Sequence, residues 1–392
     1  MITKINELIS ALANGNMATA GDVGMDFLKM LIMFAIGGCL IYLAIKKDYE
    51  PALLLPIGFG AILCNIPLTS IVSSPGTGER GVFGILYDST IATELLPVLI
   101  FIAVGAMIDF APLFQTPLMI FFGAAAQLGI FITMLVAILC GFTLKEAAAI
   151  GVIGAADGPT TIYVANALKL GKLIGPLTVA AYSYMSLVPI IQPPVIKALT
   201  TREERKIHMN FKQRNVSKLA KILFPIVVTV VAGLIAPESV ALIGSLMFGN
   251  LIRECGVLER LSETAQTTLS NLVTLLLGIT IGTTMTADDF LNWQTLLIMV
   301  MGLVAFIFDT AGGVLFAKFI NLFRKEKINP MVGAAGISAF PMSSRVIQKM
   351  AKDEDPQNFI LMQAVGANVA GQLGSVVAGS MLLALVIKLT GM

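Results

Sequence analysis

The sequence predicts an all-α polytopic membrane protein with about ten spans, two re-entrant broken-helix hairpins and an inverted repeat. Three observations lead there. Of the 392 residues, 56% are hydrophobic, the mean hydropathy is +0.87, and only 13% are Asp, Glu, Lys or Arg. An ordinary soluble domain carries about 25% charged residues, so this chain lacks the side chains to coat a water-exposed surface. Long apolar stretches recur from near the N-terminus to the end. Two segments interrupt that pattern with Gly-Ala-Ala at one fixed offset, each followed by a glycine and then a proline. Soluble, disordered, collagen-like and disulfide-framework classes are excluded on the same grounds.

Other counts narrow the chemistry. The formal net charge is +2, so no nucleic-acid partner is expected. Cys39, Cys64 and Cys140 sit in apolar runs and read, as cysteines often do, as small buried hydrophobes; Cys255 is the fourth. His208 is the only histidine and stands in a charged loop, which argues against a His-based metal site, a His triad or haem ligation. No Gly-rich nucleotide loop is present, so ATP chemistry is not expected. The polar, weakly amphipathic start lacks the pattern of a signal peptide.

Taken in order, the candidate spans are 27–45, 51–67, 92–108, 117–141, 175–197, 222–236, 240–252, 267–283, 295–317 and 358–387. A full span needs about 20 residues. The pair 222–236 and 240–252 is short and can be one bent element around Pro237-Glu238. The linker 68–91, with SSPGTGERG, reads as a solvent-facing loop. The main charged loop is 197–221, with Lys197, Arg202, Glu203, Glu204, Arg205, Lys206, Lys212, Arg214, Lys218 and Lys221. The chain then divides into a two-span region with its external loop (1–91), a first repeat (92–221), short connecting spans (222–252) and a second, inverted repeat (253–392).

Basic residues set the orientation. Lys46-Lys47, the 197–221 loop, Arg253, Arg260, Lys318, Arg324, Lys325 and Lys327 face the cytoplasm, with Asp109 at a cytoplasmic end. Asp22, Glu79, Asp88 and Asp288-Asp289 fall outside, as do both termini. This works only if two segments, near 149–170 and 330–350, do not cross fully. The first contains Gly154-Ala155-Ala156-Asp157-Gly158-Pro159, the second Gly333-Ala334-Ala335-Gly336 and then Pro341. Glycine and proline break helices, and broken backbone at membrane depth needs compensation from protein, water or an ion.

Gly154 and Gly333 lie 179 residues apart, and the same offset pairs Gln115-Thr116 with Gln294-Thr295, Gly123 with Gly302 and Ala126 with Ala305. By the charge rule 92–108 and 267–283 run in opposite directions, so the repeats are inverted. That is a common architecture of secondary transporters, whose sites lie where the broken helices meet.

Asp157 is the sharpest single residue. A carboxylate in an apolar segment must be neutral, paired or coordinating a cation, and Thr160 and Thr161 supply hydroxyls beside it. Asn329, Gly333, Ser338 and Arg345 surround the second break; Arg345 can face Asp157, meet an anionic substrate, or snorkel without a role. Tyr182 and Ser186 share a helix face, as do Asn368 with Gln372 and Gln372 with Ser375. Asp309, inside 295–317, is a further buried-acid candidate.

Gly154–Thr160 (GAADGPT) together with Asn329–Arg345 (NPMVGAAGISAFPMSSR) resembles the beta subunit of the sodium-transporting biotin-dependent decarboxylases, the oxaloacetate, methylmalonyl-CoA and glutaconyl-CoA enzymes. The resemblance covers nearly the whole chain. It implies a multi-pass subunit of the inner (cytoplasmic) membrane that receives carboxybiotin on a biotin carrier protein, after loading by a separate carboxyltransferase (alpha) subunit. Decarboxylation there consumes a proton and drives sodium outward. The family's aspartate falls on Asp157, and its Asn, Gly, Ser and Arg fall on Asn329, Gly333, Ser338 and Arg345. Its functional tyrosine is Tyr182 or Tyr184, with the face shared with Ser186 favouring Tyr182. Catalysis is expected at Asp157, Arg345 and these tyrosines, carboxybiotin contacts at Arg345, Ser338 and Asn329, and sodium at Asp157, Thr160, Asn329, Gly333, Ser338 and Asn368.

No lysine stands in the Ala-Met-Lys-Met context of biotin attachment, so biotin arrives on another chain. Its carrier is expected to dock on the basic loops 197–221 and 318–328. The resemblance also implies a small accessory membrane subunit and allows self-association. The acyl substrate belongs to the carboxyltransferase; the length and lack of an insertion lean towards an acyl-CoA complex. Two other readings stay open at this point, a plain sodium-coupled secondary transporter and a non-catalytic membrane anchor.

Overall fold

In hydrocarbon every backbone N–H and C=O needs a partner within the chain, which makes the α-helix the unit for these apolar segments. The structure, a computed structural model, describes residues 17–391 except 49, 68, 74–78 and 210–214, and the described set leaves out the side chains of 17–24 and of Ser186. Lys212, Arg214, the Asp22 and Ser186 side chains and the middle of SSPGTGERG therefore lie outside the described residues. Among the described residues all regular structure is helical apart from one bridge, Ser73 to Arg80.

The first half holds α1 (Met17–Lys47), α2 (Pro51–Cys64), α3 (Val82–Thr90), α4 (Leu95–Met107), α5 (Met119–Ala125), α6 (Leu128–Leu139), α7 (Leu144–Val152), α8 (Gly158–Ala167) and α9 (Gly171–Leu199). The second holds α10 (Lys218–Ile235), α11 (Val240–Glu254), α12 (Ser270–Gly282), α13 (Trp293–Phe323), α14 (Met331–Ala334), α15 (Met342–Glu354) and α16 (Leu361–Thr390). Six helical stretches are long and apolar enough to cross a membrane, and eight if two bent pairs each count as one span. The bent pairs are α3 with α4, at 62°, and the two parts of α9 on either side of residue 186, at 65°. The count of ten is not confirmed, because 51–67 and 240–252 yield helices of 14 and 15 residues.

Other local expectations change. Pro237-Glu238 does not bend one helix; a 3-10 turn over Pro237–Ser239 separates α10 from α11, and the two pack against each other as a hairpin. The loop expected over 68–91 is shorter, because Val82–Thr90 is helical and meets α4 at the left-handed Glu94 (φ 63°). Cys39 and Cys140 are exposed on the bundle's outside rather than buried. So are Leu219, Leu223, Ile226, Val230 and Leu234 along α10. An apolar stripe of that length facing outward suits lipid and not water.

Packing recurs in crossed pairs. α4 lies along α11 while α12 lies along α2, and α9 lies along α13 while α16 lies along α5. α8 touches α9 and α16, and α15 touches α16 and α9. Both short helices that follow a break are thus held between α9 and α16.

One end is clipped together by charge. Glu354 of α15 receives Arg205 at 2.7 Å and Arg202 at 3.0 Å, Lys318 reaches Glu204 at 3.1 Å, and His208 meets Asp355 at 2.7 Å. The Arg205 hydrogen bond is the main cause that holds the Glu354 carboxyl below its ordinary range. A carboxylate depressed in the folded state stabilises the fold above the usual carboxylate range and loses that contribution as pH falls through the folded value. Arg205→Ala is therefore expected to lower stability at pH 7 by about 1.5–3 kcal/mol, the range for a hydrogen bond to a charged group. Melting curves of the two proteins should converge as pH drops below about 4; a gap that persists unchanged at low pH would rule out this origin.

Candidate functional site at the first helix break

The first break is built by local sequence. α7 starts with a capping box, Thr143 with Glu146, and runs through small residues into a 3-10 turn at Ile153–Ala155. Ala156 then takes a left-handed conformation (φ 52°, ψ 44°), which costs a non-glycine residue roughly 1–2 kcal/mol. Gly158 and Pro159 open α8, where the missing proline N–H is no loss. Asp157 is left as the N-cap of α8.

Asp157 is 3% exposed, deep in the bundle. Its Oδ1 accepts from the Thr160 amide at 3.3 Å, and its Oδ2 accepts from Thr160 Oγ1 at 2.8 Å, Ser375 Oγ at 2.9 Å and Gln372 Nε2 at 3.4 Å. All these donors are neutral, and the chain's described ion pairs do not include Asp157. A buried carboxylate with hydroxyl and amide neighbours but no basic partner is chemistry that a small hard cation completes. Among the described residues there is no cluster of three or more His, Cys, Asp or Glu, so a transition-metal centre does not suit the donor set.

The second break meets the first. α14 ends at Ala334 and α15 begins at Met342. Between them, Ser338 donates from both its amide (3.1 Å) and its Oγ (2.6 Å) to the carbonyl of Ala155. Asn368 of α16 donates to the Ile337 carbonyl at 2.6 Å, and Gln192 of α9 donates to the Ala334 carbonyl at 2.7 Å. Side-chain amides from the two long helices thus satisfy backbone that the break frees.

A cavity of ≈ 390 Å³ leads to Asp157, with Glu50 and Asn271 at its rim and Tyr182, Phe340 and Gln372 on its walls. Glu50 follows Lys46-Lys47 closely, so the cavity faces the basic end. Burial, then the Asp48 charge, push the Glu50 carboxyl up.

The structure gathers some expected residues and separates others. Asp157, Thr160, Tyr182 and Ser338 come together. The Tyr182 ring lies against Gly158, where an added Cβ would stand 2.1 Å from Cζ. Tyr184 points elsewhere: its hydroxyl donates to the Met299 carbonyl, and its ring packs on Gly302 of α13. Asn329 is not in the cavity. Its Nδ2 donates to the carbonyls of Arg205 (2.8 Å) and Ile207 (2.9 Å), and its Oδ1 accepts from Met331 N at 3.1 Å, so its polar atoms serve the charged loop. Gly333 faces Gly313, whose carbonyl would stand 2.0 Å from an added Cβ, and its place is close helix packing. Arg345 is exposed in the first turn of α15 and does not line the cavity. Asn368 supports the residue before Ser338 and leaves its own Oδ1 buried without a hydrogen bond.

Gln372, Ser375 and Glu50 were missing from the expected set. The shared helix face of Asn368, Gln372 and Ser375 was the signal for the first two. Glu50 gives none, because an acid three residues after Lys46-Lys47 and just before a proline reads as loop.

A family model described as "Na+-transporting oxaloacetate decarboxylase beta subunit" matches residues 29–386. The chain is 50% identical to the glutaconyl-CoA decarboxylase subunit beta of Acidaminococcus fermentans over 91% of its length and 92% of that protein. It is 49% identical to the methylmalonyl-CoA decarboxylase subunit beta of Propionigenium modestum, covering 94% and 97%. It is 44% identical to the oxaloacetate decarboxylase beta chain 2 of Salmonella typhi, covering 91% and 95%. Matches of this extent, on a helical membrane chain whose two breaks meet at a buried acid, place the protein in the beta-subunit family of the Na+-transporting decarboxylases.

Proposed function

We propose that this chain decarboxylates carboxybiotin, presented by a biotin carrier protein, and uses the reaction to export sodium through a site at Asp157. The observation that carries it is the buried, unpaired-by-charge Asp157 at the meeting of the two breaks, at the end of a cavity facing the basic side.

Carboxybiotin is an N-carboxylated urea, and loss of carbon dioxide leaves a ureido anion that takes up one proton. The chain's part is environmental. Apolar walls at Phe340 and the Tyr182 ring exclude water, which disfavours a compact carboxylate relative to a more dispersed transition state. Asp157, with Thr160, Gln372 and Ser375, holds sodium. Arg345, exposed just beyond the Phe340-Pro341 wall, meets the incoming carboxylate before it enters. Ser338 ties the second break to the first, so a shift of either changes which face reaches Asp157. The crossed packing supports an inverted repeat as the moving element, with α10 and α11 counted as the opening pair of the second half, equivalent to α1 and α2.

The carrier, a carboxyltransferase, a small accessory membrane subunit and further copies of this chain are the proposed partners, in the inner membrane. Higher identity to the two CoA-thioester relatives than to the oxaloacetate one favours an acyl-CoA substrate for the complex.

The test is carbon dioxide release from carrier-bound carboxybiotin by the purified chain, followed against sodium concentration. Sodium-stimulated release is expected. Tyr182→Phe should slow it by about 10²-fold if its hydroxyl handles the proton, whereas Tyr184→Phe should leave the rate within a few fold and cost about 1 kcal/mol of stability. Equal effects of the two would remove Tyr182 from the mechanism. No release from folded protein, with solute uptake by the chain alone, would favour the plain transporter.

A further inference from the structure

Asp309 lies in the middle of α13, fully buried, and plays no part in the site described above. α13 crosses both α6 and the first break at this point. Two glycines let it come close: a Cβ on Gly129 would stand 2.4 Å from Asp309 Oδ1, and a Cβ on Gly154 would stand 2.7 Å from Oδ2. The carboxyl is therefore clamped between the start of α6 and the 3-10 turn that leads to Asp157. The amides of Gly129 and Ile130 in the first turn of α6 act on it, although the Ile130 amide is already bonded to the Gln127 carbonyl at 3.2 Å, and neither carboxyl oxygen makes a hydrogen bond of ordinary geometry.

Among the described residues, the elements packed against Asp309 bring no counter-charge to it. α5, α6, α14 and the 3-10 turn carry no titratable side chain. α7 carries Lys145 and Glu146 only at its start, where Glu146 serves the Thr143 cap. α9 carries Tyr182 at the cavity, Tyr184 bonded to Met299, and Lys172 and Lys197 near its ends. On α13 itself Lys318 is held by Glu204 and the Leu199 carbonyl. A dry, unpaired carboxylate costs several kcal/mol, so the neutral acid is the form this arrangement accommodates. A helix N-terminus favours negative charge, so a movement of the clamp that brings the carboxyl into full hydrogen-bond geometry with the α6 amides would favour the ionised form.

We propose that Asp309 is a proton-binding site of this protein, occupied in the present conformation and emptied when the first break rearranges. The link to sodium rests on the reading of Asp157 given above, since Gly154 and Asp157 belong to one turn. Sodium arriving at Asp157 shifts that turn, brings Asp309 onto the α6 amides, and releases its proton. No bond other than the carboxyl O–H is broken.

Infrared difference spectra of the purified full chain in nanodiscs, with sodium chloride as the probe, test this. Wild type is expected to show a protonated-carboxyl band that Asp309→Asn deletes and Asp309→Glu keeps in shifted form. Added sodium should weaken that band and release a proton to a pH dye, and Asp309→Asn should lose the release. If Asp309→Asn leaves every protonated-carboxyl band in place, or releases as much proton as wild type, the proposal is overturned. Asp157→Asn separates the two readings: loss of sodium binding there with the Asp309 band intact supports both. A wild type that binds no sodium but shows the band overturns the linkage and the Asp157 reading while keeping the proton site.

Discussion

Asp157→Asn should abolish sodium-stimulated decarboxylation and sodium transport, with a fall of about 10²-fold or more, the scale for removing one preorganised electrostatic group from a dry site. The same substitution should hardly change the fold. Asparagine and aspartate are about equal as helix N-caps; the asparagine amide oxygen in the Oδ1 place still accepts from the Thr160 amide, and its NH2 in the Oδ2 place can donate to the Thr160 and Ser375 hydroxyls. What disappears is the charge, which in wild type has no basic partner among the described residues. Carbon dioxide release, labelled-sodium uptake in proteoliposomes and melting temperature together make the comparison. Full activity in the variant would leave Asp157 as a structural cap and return the chain to the role of an anchor. A parallel loss of melting temperature would show instead that Asp157 holds the break together. Ser375→Ala and Thr160→Val, which each remove one 2.8–2.9 Å donor, should be milder and raise the sodium concentration needed for half-maximal rate.

Much of this site is visible in the sequence, for physical reasons that differ by residue. Composition alone selects a membrane bundle, because 13% charged residues cannot cover a soluble surface. Glycine and proline clustered at 154–159 and 333–341 mark the breaks, since close together they disfavour a continuous helix. Asp157 is visible because a charge in an apolar run is rarely accidental. Its partners are less so. Ser375 lies 218 residues away, and only the packing of α16 against α8 brings it close. Asn329 belongs to the same long motif as Ser338, but motif membership does not say which way a side chain points. Standing before Pro330, it reaches back to the 205–207 backbone instead of forward to the cavity. Arg345 likewise turns outward, on a short helix with one wet face. Tyr182 and Tyr184 stand two residues apart on one helix, and two residues rotate a side chain by about 200°. They must face nearly opposite ways, and only the neighbours of α9 decide which one reaches Asp157. The count of ten spans is not confirmed, because apolarity is legible in the sequence while helix length is set by the turns at Cys64–Asn65 and Pro237–Ser239.

Gly158→Ala tests whether the contact between the first break and α9 matters in its own right. The substitution introduces one methyl, 2.1 Å from Tyr182 Cζ, where no heavy atoms can coexist. The backbone has little room to yield. Asp157 on one side is tied to Ser375 and Thr160, and Pro159 on the other fixes its own φ. The ring must therefore leave. Overpacking of this kind costs about 1–3 kcal/mol, and the displaced ring also uncovers the wall beside the carboxylate. Both melting temperature and decarboxylation rate should fall in Gly158→Ala. Adding Tyr182→Ala removes the clash, so the double variant should regain stability without regaining the rate. Recovery of both would mean that Tyr182 is only an obstacle once Gly158 is lost, with no work of its own at Asp157. Loss of rate without loss of stability in the single variant would mean the ring swings away freely, so the walls of the cavity are mobile. The expected pattern, stability rescued and rate not, follows only if the glycine exists to let an aromatic ring close over a buried charge.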